Sequence, residues 1–527
     1  MLTVAVLGYL LFTVGIGFYA SSRVHGAKDF MVAGRSLPLY MNFTCVFATW
    51  FGAETVLSVS ATFAKGGLVE IPGDPFGAAM CLVLVAVFFA RAFYRMDLLT
   101  IGDFYHKKYG KIVEVFTSIA ITLSYLGWTA AQLTALGLVL FVLGQQAGLT
   151  WLLLDHCIIV GAVVVMIYTV FGGMWSVALT DMIQTVVIIV GLIIVAYILS
   201  DIAGGADKVI ESAYDSGRLR LFPKEGIGSW LTFIAGFLTV ALGSIPQQDV
   251  FQRVTSAKNE KTAVRGTLLG GSFYFLFAFV PMFIAYSAVV ITPETLGIFE
   301  HGDERHIQRV LPELILNQTP FWAQAIFFGA LLSAILSTAS GTLLAPASLF
   351  TENVLRPFLP DLQEKNMLVT LRSVLILFGI AATWHAAVSN DTMYQMVQGA
   401  YSVTLVGALV PLAAGIYWSR STTQGALASI VMGMGGWGYC LYFHSDVEWL
   451  PAQLVGLVAS VAGMLMGSLM PQYIPNLVTE LPLDALNTTN LVDSSGLCSP
   501  ENALDLGSLG QSGPSKDNPY GSPPRID

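Results

Sequence analysis

Apolar residues run along this chain in long blocks separated by short polar stretches. A bilayer core about 30 Å thick is crossed by roughly 20 residues of helix, and thirteen blocks approach or exceed that length: 2–20, 38–64, 75–94, 113–144, 151–171, 180–200, 229–250, 266–292, 319–350, 367–388, 393–418, 424–443 and 449–470. The pattern predicts an all-α integral membrane protein of about thirteen transmembrane helices. Residues 471–527 differ: Pro, Ser, Gly, Asn and Asp dominate, and the final SGPSKDNPYGSPPRID has no apolar period. A segment that cannot bury a core reads as a disordered tail.

Three blocks carry polar or helix-breaking residues in mid-span. The second reads FATWFGAETVLS, with Gly52 and then Glu54 near the bilayer centre and Thr55 beside it. The seventh reads FLTVALGSIPQQDVFQR, where Gly243 and Pro246 precede Gln247, Gln248 and Asp249. The ninth, LLSAILSTASGTLLAPAS, is unusually rich in hydroxyls. An ionisable residue inside a span is by default a functional candidate, and a broken helix is tolerated in lipid only where its freed carbonyls line a cavity. The two breaks lie five spans apart. They therefore suggest an inverted repeat, with residues 38–200 and 229–418 as two five-helix units, residues 1–37 a leading helix and loop, 419–470 two trailing helices and 471–527 the tail. Gly and Pro are also ordinary features of membrane helices, so each break alone has a structural reading.

Composition narrows the class. Apolar residues make up 55% and charged ones 11%, less than half the charge of a soluble domain. The net charge of -9 comes without a basic face, which gives no expectation of nucleic acid as a partner. Four cysteines, Cys45, Cys81, Cys157 and Cys440, lie in apolar runs and Cys498 lies in the tail, without metal or redox spacing. The sequence carries no HExxH, GxSxG or paired carboxylates, so no catalytic residue, enzyme activity, transition metal or cofactor is expected. Basic residues set the orientation. Arg23, Lys28 and Arg35 follow the first span, and most of the 25 Lys and Arg fall in the odd-numbered loops and the tail. By the positive-inside rule the N-terminus is outside and the C-terminus cytoplasmic in a multi-pass plasma-membrane protein.

The hydroxyls have a geometry of their own. Ala334, Ser337 and Thr338 are spaced i, i+3, i+4 and share a helix face. Sodium takes oxygen ligands by the logic of other hard cations; two hydroxyls and the Ala334 carbonyl supply three, and the Ala48 and Phe51 carbonyls at the break in span two could complete five. Read from spacing alone, such hydroxyls equally bond their own helix carbonyls or pack between helices.

Five stretches together resemble the sodium:solute symporter family: VAGRSLP at 32–38, LLTIGDFYHKKYG at 98–110, YTVFGGMWSVALTDMIQ at 168–184, QDVFQR at 248–253 and SAILSTASGTLLAPAS at 333–348. The resemblance implies a LeuT-type five-plus-five core with one extra N-terminal and two extra C-terminal helices, and sodium as the coupling ion. It carries a sodium site onto Ala48, Phe51, Ala334, Ser337 and Thr338. A second sodium site, used by sialic acid carriers of the family, would map onto Asp181 and Ser340, but the residue after Ser340 is Gly341, which removes one oxygen. Asp181 then has a structural alternative, capping the start of span six.

The resemblance also places the substrate between spans two, four and seven. It nominates Trp50, Gly52, Glu54, Thr55, Trp128, Gln132, Gln247 and Gln248. Sialic acid carriers have an arginine where this chain has Trp128, which argues against an anionic sugar. In choline carriers Ala48-Thr49-Trp50, Trp128 and SIPQQDVFQRV find counterparts, although a further tryptophan stands where this chain has Gln247. Two indole faces and a buried carboxylate suit a cation, so the expected solute is a cationic or zwitterionic amine, choline first and proline or another amino acid second. Trp50 and Trp128 as packing aromatics, with Glu54 neutral, is the alternative. The partners expected are that solute, Na+ and membrane lipid. An ion channel or a transporter-derived sensor is the rival of another class, though no selectivity ring and no output domain is evident. Asp249 and Arg253 read as a gate or anchor. Asp155 and His156 read as interfacial residues, and His385 as a packing residue.

Overall fold

The computed structural model describes residues 2–22, 24, 26–224, 226–301, 307–359, 364–443 and 450–474. Among them, nine helices are long and apolar enough to cross a membrane, or twelve spans if each of three bent pairs is one; Leu154–Ile167 is a further, shorter apolar helix. The main elements are α1 (Leu2–Ser21), α2 (Leu39–Trp50), α3 (Glu54–Gly66), α4 (Pro72–Arg95), α5 (Ile101–Tyr109), α6 (Lys111–Gln146), α7 (Leu154–Ile202), α8 (Ile227–Gly243) and α9 (Gln248–Thr255). They continue with α10 (Glu260–Ile291), α11 (Phe321–Phe350), α12 (Glu364–Val388), α13 (Met393–Gly407), α14 (Leu409–Tyr417), α15 (Thr423–Phe443) and α16 (Ala452–Leu469). No β-strand occurs among the described residues, only an isolated bridge between Leu37 and Ala257. The expected tail lies, from residue 475 on, outside the described residues.

Each break has a chemical origin. Between α2 and α3 the axis bends by 52°, and Phe51 leaves helical geometry at φ -89°, ψ 74°. Between α8 and α9 it bends by 44°; Pro246 there cannot continue a helical ladder. A third bend, 45° between α13 and α14, falls inside what the sequence presents as one span, 393–418. Pro411 lacks the N–H that would bond the Gly407 carbonyl four residues back. Two tyrosines of α5 meet the carbonyls around this bend: Tyr105 donates to Ala408 O at 2.9 Å and Tyr109 to Pro411 O at 2.8 Å.

Spans five and six form one helical run, α7, kinked at Gly173, whose φ of +52° favours glycine. The kink puts the start of the second half at residue 174, so Asp181 lies inside the helix rather than at its N-cap. That corrects the capping alternative. The loop after α4 is ordered by α5, whose N-cap Thr100 accepts from the Asp103 amide at 3.3 Å while the Asp103 carboxylate accepts from Thr100 N–H at 3.1 Å.

Small residues bring the trailing helices together, as expected where lipid offers no hydrophobic drive for association. A Cβ on Gly463 of α16 would lie 2.5 Å from the Ala428 carbonyl of α15, and Ser429 and Ser460 hydrogen-bond between the two helices at 2.8 Å. Around the breaks of α2/α3 and α8/α9 the interior becomes polar.

Candidate functional site

The bend between α2 and α3 lies against α6 and α11. Glu54 begins α3 and is 4% exposed. Trp128 and Gln132 sit one turn apart on one face of α6, and both reach it: the Trp128 indole donates to Glu54 Oε1 at 3.1 Å and the Gln132 amide to Oε2 at 2.5 Å. The Gln132 carbonyl oxygen in turn accepts from Ala53 N–H at 3.1 Å. One glutamine thus binds a freed backbone donor and the first side chain beyond the break. Glu54 is held by two neutral donors.

Aromatic faces gather beside it. Trp50, the last residue of α2, has its ring centroid 6.1 Å from that of Trp128 and stacks at 16° on Tyr401 of α13, also 6.1 Å away. Tyr401 meets Trp128 edge-on at 5.5 Å, and Tyr125 stacks on Trp128 at 6.0 Å. The Tyr125 hydroxyl donates to the Asp249 carboxylate and accepts from Asp249 N–H at 2.8 Å, which fixes α6 against the start of α9. Such packed rings can present π faces to a cation.

Thr55 turns the other way, its hydroxyl 3.0 Å from the Asp74 carboxylate and 3.1 Å from the Tyr274 hydroxyl, which itself donates to Asp74. Gln247 donates to Ser124 at 3.0 Å and Thr404 at 3.3 Å, and Thr404 donates to the Gly243 carbonyl freed at the α8/α9 break at 2.6 Å. Gln248 sits apart from this group, accepting from Ile101 N–H at 2.8 Å at the start of α5. Asp155 and His156 are exposed at the start of α7, and His385 is half-buried near the end of α12.

Ala48, Phe51, Ala334, Ser337, Thr338, Asp181 and Ser340 are all fully buried. The Thr338 hydroxyl donates to the Ala48 carbonyl at 3.2 Å, so the face of α11 read from its spacing does meet the end of α2. Ser337 donates to Asp181 Oδ1 at 2.5 Å, and Ser340 to the Ser337 carbonyl at 2.9 Å. A Cβ added to Gly52 would lie 2.3 Å from Glu54 Oε2 and 2.9 Å from Thr338 Oγ1. Gly52 therefore lies between the Thr338 hydroxyl and the Glu54 carboxylate, where a bare backbone fits and a side chain would meet both. Among the described residues no group of three or more His, Cys, Asp or Glu could hold a metal ion.

Several of these residues escaped the sequence reading. Asp74 stands in IPGDPFG at the margin of a span, where an acid is unremarkable by pattern. Tyr401 is one aromatic in an apolar block. Tyr125 had a usable signal, three residues before Trp128 and so on the same face of α6.

Residues 30–433 match the sequence profile described as the sodium:solute symporter family. The High-affinity choline transporter 1 of Caenorhabditis elegans is 26% identical over 541 residues, covering 91% of this chain and 89% of its own. The human High affinity choline transporter 1 is 25% identical, covering 82% and 75%, and the human Sodium/iodide cotransporter 25% identical, covering 88% and 74%. The fold is similar to the substrate-bound outward-open state of a Na+-coupled sialic acid symporter, with a TM-score of 0.71 at 19% identity over 89% of this chain and 98% of that one. It is also similar to MhsT in complex with L-phenylalanine, with a TM-score of 0.52 at 15% identity over 81% and 98% of the two chains.

Proposed function

We propose, from the premise that the chain belongs to the sodium:solute symporter family, that it imports a cationic amine of the choline class by alternating access. Sodium-coupled symport is the activity of the family, whose members are transporters and not enzymes; the choice of solute is our reading. The observation that carries it is Glu54, a carboxylate buried at the helix break and held by the neutral side-chain donors Trp128 and Gln132, beside the rings of Trp50, Trp128 and Tyr401. A buried charge is stable only when paired. A desolvated ammonium over an indole gains about 2 kcal/mol, and the same ammonium pairs Glu54.

The geometry favours a cation over a zwitterion. A solute carboxylate would be met by half-helix N–H groups, yet Ala53 N–H is already taken by Gln132, and Glu54 repels an anion. Proline or another amino acid is therefore the second reading, supported by the family relationship and by Thr55 and Gln247 as polar contacts.

In the cycle we infer, sodium binds the carbonyls of Ala48, Phe51 and Ala334 and the hydroxyls of Ser337 and Thr338, joining the α2 terminus to α11. The Thr338 hydroxyl bond to Ala48 O supports this reading. Sodium here draws Gly52 and with it Glu54 into the solute pocket, so each ligand raises the affinity of the other by one factor. Closure outside and opening inside then release both. We take Leu154–Ile167 as a span in its own right, which makes thirteen: residues 38–200 and 229–418 as the two repeats, 1–37 leading, 419–470 trailing and 471–527 a cytoplasmic tail. The plasma membrane, N-terminus out and C-terminus in, is the setting.

The test is uptake of labelled choline by proteoliposomes with an imposed inward sodium gradient. Accumulation that collapses when potassium replaces sodium is expected. Sodium-driven proline uptake with no choline competition would replace choline by the second reading.

A further inference from the structure

The start of α4 brings a further carboxylate to the α2/α3 break. Its first turn, PGDPFG, is irregular: Asp74 is extended, at φ -135° and ψ 120°. Two glycines fix that turn against α8, because a Cβ on Gly73 would lie 3.2 Å from the Gly236 carbonyl and one on Gly77 2.8 Å from the Phe237 carbonyl. Asp74 is 7% exposed. Its Oδ2 accepts from the Thr55 hydroxyl of α3 at 3.0 Å and its Oδ1 from the Tyr274 hydroxyl of α10, and those two hydroxyls stand 3.1 Å apart. Side-chain oxygens from three elements thus meet in one cluster. Thr55 follows Glu54 in the chain, so the cluster stands at the depth of the break.

Among the described residues no lysine, arginine or histidine pairs with Asp74. A buried carboxylate whose donors are all neutral calls for a cation, and an acid inside a span is a functional candidate. An oxygen-only donor set suits a hard cation. Sodium, close to calcium in radius, takes oxygens at about 2.3–2.6 Å by the same logic, which sets neighbouring ligand oxygens about 3–4 Å apart. The spacings of 3.0 and 3.1 Å in the cluster need to widen only slightly to receive it. One carboxylate balances one positive charge, which favours a monovalent ion over calcium. A trimethylammonium head is too broad for oxygens in mutual contact, and Glu54 already meets its charge.

We infer that Asp74, Thr55 and Tyr274 form a second sodium site at the start of α3, separate from the one at the end of α2. The inference rests on the sodium coupling of the proposed function and adds an ion to it. Asp74 supplies the negative charge, Thr55 and Tyr274 add a hydroxyl oxygen each, and water completes the shell. The two ions clasp the same break from opposite ends: one joins α2 to α11, the other joins α3 to α4 and α10. An ion on Thr55 holds the first turn of α3 in the form that presents Glu54 to the solute. With sodium at Asp74 and the ammonium at Glu54, each of these buried carboxylates has its own cation in the loaded state.

The experiment is equilibrium binding of radiolabelled sodium to the purified full chain without solute. Two saturable sites per chain are expected for the wild type and one for Asp74→Asn, which keeps the size of the side chain and removes its charge. Tyr274→Phe removes a single oxygen and keeps the ring. It is expected to hold one site at wild-type affinity and to weaken the other by about ten-fold or more, which keeps the test decisive where Asp74→Asn does not fold. One site in the wild type, two undiminished sites in Asp74→Asn, or wild-type affinity at both sites in Tyr274→Phe overturns the proposal. One wild-type site together with proton uptake that Asp74→Asn abolishes overturns it in favour of a proton. A wild type with no saturable site overturns sodium coupling itself, so the two failures are distinct.

Discussion

Gln132 donates to the Glu54 carboxylate at 2.5 Å while its own carbonyl oxygen takes the Ala53 amide. One side chain of α6 thus sets both the backbone at the break and the carboxylate beyond it. Glu54→Gln keeps the shape and removes the charge. Choline's ammonium carries no N–H, so its attraction to Glu54 is that of an ion pair, and close charge pairs couple by about 1.5–7 kcal/mol; the KM for choline should therefore rise by roughly ten-fold or more while expression and sodium binding persist. Proteoliposome kinetics measure this, and an unchanged KM removes Glu54 from the solute site.

Thr338 is the cleaner of the two hydroxyls with which to probe sodium. Ser337→Ala also strips Asp181 of its donor, whereas Thr338→Ala removes only the group on Ala48 O. The sodium concentration for half-maximal uptake should rise in both, and Thr338→Ser should restore it. Linkage requires choline affinity at fixed sodium to fall as well, within the coupling of about 5- to 150-fold usual between sites. A sodium dependence identical to wild type in both variants eliminates this site.

Gly52 can be tested by one methyl group. A Cβ there meets Glu54 Oε2 at 2.3 Å and Thr338 Oγ1 at 2.9 Å, so Gly52→Ala must push apart the two groups that couple solute and ion. Near-normal membrane expression with loss of sodium-stimulated uptake is expected. Full transport by Gly52→Ala would show that the break can widen without consequence.

The trailing helices α15 and α16 make a contrasting prediction. Gly463→Ala places a Cβ 2.5 Å from the Ala428 carbonyl, and overpacking of this kind costs about 1–3 kcal/mol. The thermal midpoint of the purified protein should drop while the KM values for choline and sodium stay at wild type. A shift in either KM instead would bring this pair into the transport machinery.

What the sequence made legible follows from how local each signal is. Hydropathy is written along the chain, so helices appear where the apolar blocks stand. The breaks at Gly52 and at Gly243 to Pro246 were readable because glycine, proline and polar side chains fall together there. The break before Pro411 was hidden, since its carbonyls are satisfied by Tyr105 and Tyr109, some 300 residues away in the chain. Trp128 and Gln132 share a face by helical spacing, but that they converge on Glu54 is a fact of packing. Gln248, chosen by its neighbour Gln247, binds the start of α5 instead, because the extended residue between α8 and α9 turns successive side chains apart. The absence of an oxygen at Gly341 was visible; the approach of the Arg253 guanidinium to that glycine, from 88 residues away in the chain, was not.

Tyr401 supplies the sharpest test of a charged solute. It stacks on Trp50 and meets Trp128 edge-on, completing an aromatic wall that two tryptophans alone leave open. If the wall acts through cation–π attraction, its loss costs about 0.5–2 kcal/mol for a cation and little for a neutral molecule of the same shape. Tyr401→Leu should therefore weaken choline far more than 3,3-dimethylbutan-1-ol, its uncharged isostere, in competition against labelled choline uptake. Tyr401→Phe, which keeps the ring, should stay near wild type. An equal loss for both ligands would mean that Tyr401 only fills space, and the preference for a cation would then rest on Glu54 alone.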